Sequence, residues 1–177
     1  SALRLSPTVD VRERGGKGIQ TDISIRGGSF DQTMVTLNGI NFTDARTGHQ
    51  SHSLPIDINA VSSINVIDGV SGVGAYAGAV DIRTAPLYPR YVSVEATGGA
   101  YDYYYGSLAG GYTTDRLSLL VTGSARHSGG YTHNTDFMNY NGYARLTYSS
   151  PRAGLFDMQA GYQNRAFGAN GFYSLSY

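Results

Sequence analysis

Two polar stretches hold most of the side chains that could engage a ligand. Residues 14–20 read RGGKGIQ: Arg14, Gly15, Gly16, Lys17 and Gln20 combine glycines that let the backbone approach a bulky molecule with a lysine able to meet an anionic group. Residues 41–53 read NFTDARTGHQSHS, where Asn41, Asp44, Arg46, His49, Gln50 and His52 supply donors and acceptors suited to a large hydrophilic ligand. This is recognition chemistry rather than catalysis. No G-x-S-x-G or H-E-x-x-H signature occurs and the charged residues are scattered, so no enzyme is expected. The GGKG run lacks the G-x-x-x-x-G-K-[ST] spacing of a phosphate loop. His49 and His52 stand three apart with Asp44 near, but that spacing converges on a metal mainly on a helix, and this stretch is not patterned as one. Solvated loop histidines are expected, with neither metal nor cofactor. A glycine-rich hairpin connection without a ligand is the other reading of residues 14–20.

The elements that must position these stretches alternate in hydrophobicity. Ile23 and Ile25 share one face of a strand, Val35 and Leu37 one face of a second, and Asn38-Gly39 is a strong two-residue reversal signal. Arg26 lies at a glycine corner, Arg26-Gly27-Gly28, between the two. After Arg90, five segments of roughly ten residues alternate over a length that suits a tilted membrane strand. On one face lie Val92 and Val94, then Leu108, then Leu119 and Val121, then Leu146, then Phe156 and Met158; between them come small or polar residues. Tyr104 and Tyr112, then Tyr140 and Tyr148, bracket their apolar faces as two aromatic girdles would. Short links near residues 113–115 and 150–153 face a long one at 128–138, and a short link at 100–102 falls on the long side by parity.

Residues 9–84 carry a set of pieces in order: Ile25-Arg26-Gly27, Leu37-Asn38-Gly39, the I-x-V-x-x-G run ending at Gly69, and a closing G-x-V-x-I strand at residues 78–82. As a set they resemble the plug domain of TonB-dependent outer-membrane receptors, most nearly the cobalamin receptors. The resemblance implies a mainly β fold with an α+β plug at residues 1–90, truncated at its N-terminus, followed at 91–177 by the first five antiparallel strands of an incomplete transmembrane barrel. In the family about 22 strands close around the plug. It also implies the outer membrane as location, a scarce nutrient as ligand with a cobalamin first and an iron siderophore second, and a TonB-type energy-coupling protein whose contact segment is absent from this chain. Residues 14–20 and 41–53 stand where the family's plug apices face substrate. Arg26 matches an arginine that locks plug to barrel, and Asp68 replaces a second family arginine, so it would pair with Arg26 or with a barrel cation; two unrelated surface charges are the alternative. Some cobalamin receptors carry calcium-binding aspartates in an outer loop, but residues 131–141 offer only Asp136, too few oxygens for calcium.

Composition agrees with two halves of different kind. Of 15 tyrosines, 13 follow Arg90, whereas the sole lysine, Lys17, precedes it. Thirteen basic residues balance thirteen acidic ones, which leaves no electrostatic footprint for nucleic acid. The absence of cysteine excludes a disulfide framework or thiolate metal site. No run reaches the roughly 18 apolar residues of a membrane helix. The chain starts inside what reads as a domain, without an export signal, and five strands alone would leave two edges and an apolar face to associate or repack. The rival class is a soluble or surface-exposed β-rich binding protein with no transport role.

Overall fold

The computed structural model describes residues 9–14, 20–25, 33–42, 54–70 and 76–168, and the side chains of residues 9–25, 68–70 and 76–77 are left out of the description. Eleven strands are present among them: β1 Val9–Arg14, β2 Gln20–Ile25, β3 Thr33–Leu37, β4 Ile40–Asn41, β5 Val61–Val70, β6 Tyr76–Thr84, β7 Arg90–Gly99, β8 Tyr103–Thr113, β9 Leu117–Ser128, β10 Phe137–Ser150 and β11 Gly154–Phe167. A short 3-10 helix, Ile58–Ala60, is the only helical element among the described residues. No helix among the described residues is long and apolar enough to cross a membrane. The chain forms two compact units, Ser1–Leu54 with Ser63–Thr84, and Pro55–Ser62 with Ala85–Tyr177.

The first unit holds an antiparallel hairpin, β1–β2, and a four-stranded sheet ordered β4-β3-β6-β5. Strand β3 runs parallel to β6, with Val35 opposite Val80 and Leu37 opposite Ile82. These four side chains are buried together with Ala79. Asn38 and Gly39 both take positive φ, 53° and 84°, which reverses β3 into β4 as the Asn-Gly pair predicts. Asn38 also fastens that corner to β6: its backbone N–H donates to the Ile82 carbonyl at 2.8 Å, its Oδ1 accepts from the Thr84 N–H at 2.9 Å, and its Nδ2 donates to the Thr84 hydroxyl at 2.9 Å. The asparagine therefore serves as both turn former and cross-strand tie.

Alternation alone would place Thr36 on a wet face, yet it is buried opposite Asp81, which is 7% exposed. The Thr36 hydroxyl donates to Asp81 Oδ1 at 2.6 Å, and Arg83 Nε donates to Oδ2 at 2.6 Å. Burial on its own would raise this carboxyl, but the Thr36 hydroxyl, the Arg83 guanidinium and the Gly39 N–H outweigh it and hold Asp81 below the usual carboxylate range.

The second unit is an antiparallel meander ordered β11-β10-β9-β8-β7, with strands of 10 to 14 residues and an open edge on β7 and β11 among the described residues. Tyr101 and Asp102 turn β7 into β8 with φ of 60° and 51°. Gly129 donates to the Tyr101 carbonyl at 2.8 Å, so the 100–102 link and the long 129–136 link share one end, while Ser149 donates to the Arg116 carbonyl at 2.8 Å at the other. The short 114–116 and 151–153 links thus lie at one end, and the long link lies at the other beside the short 100–102 link, as the parity argument requires.

The Asp81 arrangement makes a pH-dependent prediction. A depressed carboxyl stabilises the folded form above its unfolded value, about 3.9, and the contribution disappears as pH falls through the lower folded value. Thr36→Val should lower the exchange protection of the Leu37 and Val80 amides at pH 7 by about 1–3 kcal/mol, the cost of a buried acceptor losing its donor. The same comparison at a pH below the folded value of Asp81 should show a smaller difference.

Candidate functional site

The five-stranded sheet has two chemically distinct faces. Strand pairing places Val94, Leu108, Gly123, Gly142 and Tyr162 in one row, and Val92, Gly110, Val121, Ala144 and Ala160 in the next. Their large members are open to the surroundings, Val94 74% and Leu108 56% exposed. The opposite rows run Glu95, Ser107, Ser124, Asn141, Gln163 and Ser93, Ala109, Thr122, Tyr143, Gly161. On that polar face Ser107, Ala109, Leu120, Thr122 and Tyr143 are buried.

The aromatic residues form diagonal belts. Met138 is the β10 residue in the row of Tyr104, yet the β10 tyrosine is Tyr140, one row further along; at the other end Leu146 shares the row of Tyr112, and the tyrosine is Tyr148, again one row further. Both belts therefore shift by two residues, about 7 Å, over two strand spacings, about 10 Å. The belts lie at about 35° to the direction of the rows, and each pair of tyrosines, eight residues apart, spans about 27 Å along its strand.

Pro55–Ser62 docks on the polar face within this unit. Asp57 caps the 3-10 helix, its Oδ1 accepting from the Asn59 N–H at 3.1 Å. The same carboxylate takes the Tyr105 phenol, 3.0 Å from each oxygen, and both side chains are buried. Asn59 Nδ2 donates to the Ser107 hydroxyl at 3.1 Å and to Glu95 at 3.4 Å. Pro55 lies where Gly161 leaves room: a Cβ there would overlap the proline ring. Elsewhere on this face Arg145 grips Asp157 through Nε at 3.0 Å and Nη2 at 2.6 Å, and Tyr143 donates to Gln159 at 2.9 Å.

Comparison with known proteins shows what this geometry is similar to. Residues 1–81 match the family model of the TonB-dependent Receptor Plug Domain. The fold is that of such a plug with part of its barrel wall. Similar solved structures include the pyoverdine receptor FpvA from Pseudomonas aeruginosa PAO1, at 16% identity and TM-score 0.70 over 94% of this chain and 26% of that one. The copper transporter OprC shares 19% identity at TM-score 0.70, over 94% of this chain and 28% of that one. The siderophore receptor PirA from Acinetobacter baumannii shares 19% at TM-score 0.65, over 95% and 29%. At such identities the likeness is one of fold. No curated protein matches the chain. The chain spans between a quarter and a third of these receptors' length.

Within the plug, pairing sets Arg14 opposite Gln20 as the last pair before the 15–19 connection, so these two expected ligand contacts come together at the backbone. Asn41 is exposed on β4. Gly15, Gly16, Lys17, Asp44, Arg46, His49, Gln50 and His52 lie outside the described residues, as does Arg26 of the expected lock; Asp68 lies on β5 with its side chain outside the description. Among the described residues no cluster of three or more His, Cys, Asp or Glu could hold a metal ion. What sequence reasoning missed is the Asp57–Tyr105 fastening. Its local half was readable, since an Asp two residues before Asn59 is a capping signal; its partner, 48 residues away, was not.

Removing the phenol should loosen this segment. Tyr105→Phe leaves a buried carboxylate short of a donor, at a cost of about 1–3 kcal/mol. It is expected to speed exchange of the Ala60 amide, which donates to the Asp57 carbonyl at 3.0 Å, while leaving exchange in β10 and β11 unchanged.

Proposed function

We propose that this chain is part of a TonB-dependent outer-membrane receptor, with the plug at residues 1–90 and the first barrel strands at 91–177, importing a scarce metal or its chelate by energy-coupled rearrangement of the plug. The plug match over residues 1–81 supports the mechanism class. The single structural observation that carries membrane insertion is the pair of aromatic belts: their offset of about 35° agrees with the 35–45° tilt of outer-membrane barrel strands, and about 27 Å of tilted strand gives an apolar height near the usual 25 Å. A soluble sheet has no reason to shift its tyrosines by one row at both ends together.

Cargo is argued from the neighbours' printed ligands. Pyoverdine, siderophores and copper appear among them, so an iron siderophore or another metal species is the preferred cargo. The cobalamin expected from the sequence has no counterpart there and stands as the second choice. Residues 14–20 and 41–53 are proposed as the plug's ligand-facing apices, Arg26 and Asp68 as its lock, and a TonB-type protein as the energy-coupling partner.

Titration of the full-length protein that carries this chain with ferric siderophores, cupric ion and cobalamin should show tight binding of one metal species and loss of its uptake when TonB is deleted. Uptake that continues at the same rate without TonB would contradict the reading. Binding of cobalamin alone would reverse the order of cargoes.

A further inference from the structure

Three arginines stand on the polar face of the wall among the described residues, and they are not equivalent. Arg145 is held by Asp157 in a forked pair. Arg126 has no such partner among the described residues: its guanidinium carbon lies 5.1 Å from the centroid of the Tyr105 ring, and its Nε is buried without an acceptor. Strand pairing puts Asn139 opposite Arg126, and Arg165 opposite Asn139, so one row across β9, β10 and β11 reads Arg, Asn, Arg. Asn139 Oδ1 is likewise buried with no donor. The rows on either side carry no carboxylate on these three strands, being Ser128, Phe137 and Phe167 above and Ser124, Asn141 and Gln163 below. The lower row closes on itself, Asn141 donating to Ser124 at 3.4 Å and Gln163 to Asn141 at 2.7 Å.

An orphaned donor and an orphaned acceptor thus adjoin in a row that also holds a second cation. A buried unmade hydrogen bond is unfavourable, so Arg126 Nε gains from an added oxygen acceptor and Asn139 Oδ1 from an added donor. A guanidinium stacked on an aromatic ring is pre-oriented and weakly hydrated, and its fork fits paired oxygens better than an ammonium does. We propose that Arg126, with Asn139 and Arg165 beside it, is a ligand subsite for anionic oxygen: the carboxylate, hydroxamate or catecholate edge of a negatively charged metal chelate. The assignment rests on the transport reading above and narrows its substrate class. A side-on grip uses Nε–H with one terminal N–H, and it turns the guanidinium outwards on the Tyr105 ring so that Nε meets the oxygen. Asn139 Oδ1 then accepts an N–H or O–H of the same ligand.

The test uses the purified full-length protein and its Arg126→Gln, Arg126→Lys and Arg165→Gln variants, titrated with ferric citrate and a ferric tris-catecholate as anionic probes and with ferrichrome as an uncharged one. The expected result is binding of an anionic chelate by the wild type, weakened about ten- to hundredfold in Arg126→Gln, the range for a lost charged hydrogen bond. Arg126→Lys should recover part of the loss, and thermal midpoints of the variants should stay at the wild-type value. An anionic chelate bound equally well by wild type and Arg126→Gln overturns the subsite and leaves the transport reading standing, as does a wild type that takes only ferrichrome. A wild type that binds no chelate counts against both. A shifted thermal midpoint in Arg126→Gln with no selective loss of the anionic probe assigns Arg126 to wall structure and overturns the subsite.

Discussion

A β-strand that slips by one residue against its neighbour exchanges its two faces, so a wall with unlike faces depends on register above all else. Here the register holds across all five strands: Val94, Leu108, Gly123, Gly142 and Tyr162 fall in one row, and Glu95, Ser107, Ser124, Asn141 and Gln163 in the next. The rest of the second unit follows from that alignment. Hydrocarbon-compatible side chains collect on one surface, and polar side chains on the other come close enough to bond across strands, as Arg145 does with Asp157. The tight links at Tyr101-Asp102 and near Arg116 and Arg152 hold the register by leaving no slack at the strand ends.

The same constraint explains what could be read from sequence. Period-two alternation is local, so the five strands and their faces were legible from residues 92–163, including the inward placement of Ser107, Thr122 and Tyr143. The Asn38-Gly39 reversal was legible because both positions need positive φ. Contacts set by tertiary structure were not. Thr36 occupies a position that alternation assigns to the wet face, and only its parallel neighbour Asp81, 45 residues on, explains its burial. The cap that Asp57 places on Ile58–Ala60 is local, but nothing near it in the sequence points to Tyr105, 48 residues away. Of the expected ligand contacts, Arg14 and Gln20 meet as paired backbone positions and Asn41 is exposed, while the others lie outside the described residues.

A chain built this way separates two tasks. The apolar face and its belts suit insertion, with a tilt that follows from where the tyrosines sit, and the polar face offers a surface on which inner segments and a hydrophilic ligand can be held. Pro55–Ser62 already uses that surface, through hydrogen bonds that would be weak in open water and are stronger where Asp57 and Tyr105 are buried. Arg126, further along the same surface, keeps a buried Nε without an acceptor, and the proposed subsite is placed there.

The claim that one face meets lipid and the other water is open to direct measurement, because this chain contains no cysteine and an introduced thiol is the only one within it once any cysteine elsewhere in the full-length protein is replaced. In the membrane-embedded full-length protein, single cysteines at each of residues 104–112 and 140–148 would be reacted with a membrane-impermeant maleimide and, separately, labelled with a fluorophore and exposed to a lipid-borne quencher. The account predicts that quenching alternates with a period of two, strong at 106, 108, 110, 142, 144 and 146, with the quenched band on β10 displaced by one row from that on β8. Maleimide reactivity in the opposite phase would accompany it. Equal maleimide access to both faces without lipid quenching at any position would contradict the account and return the sheet to the soluble class.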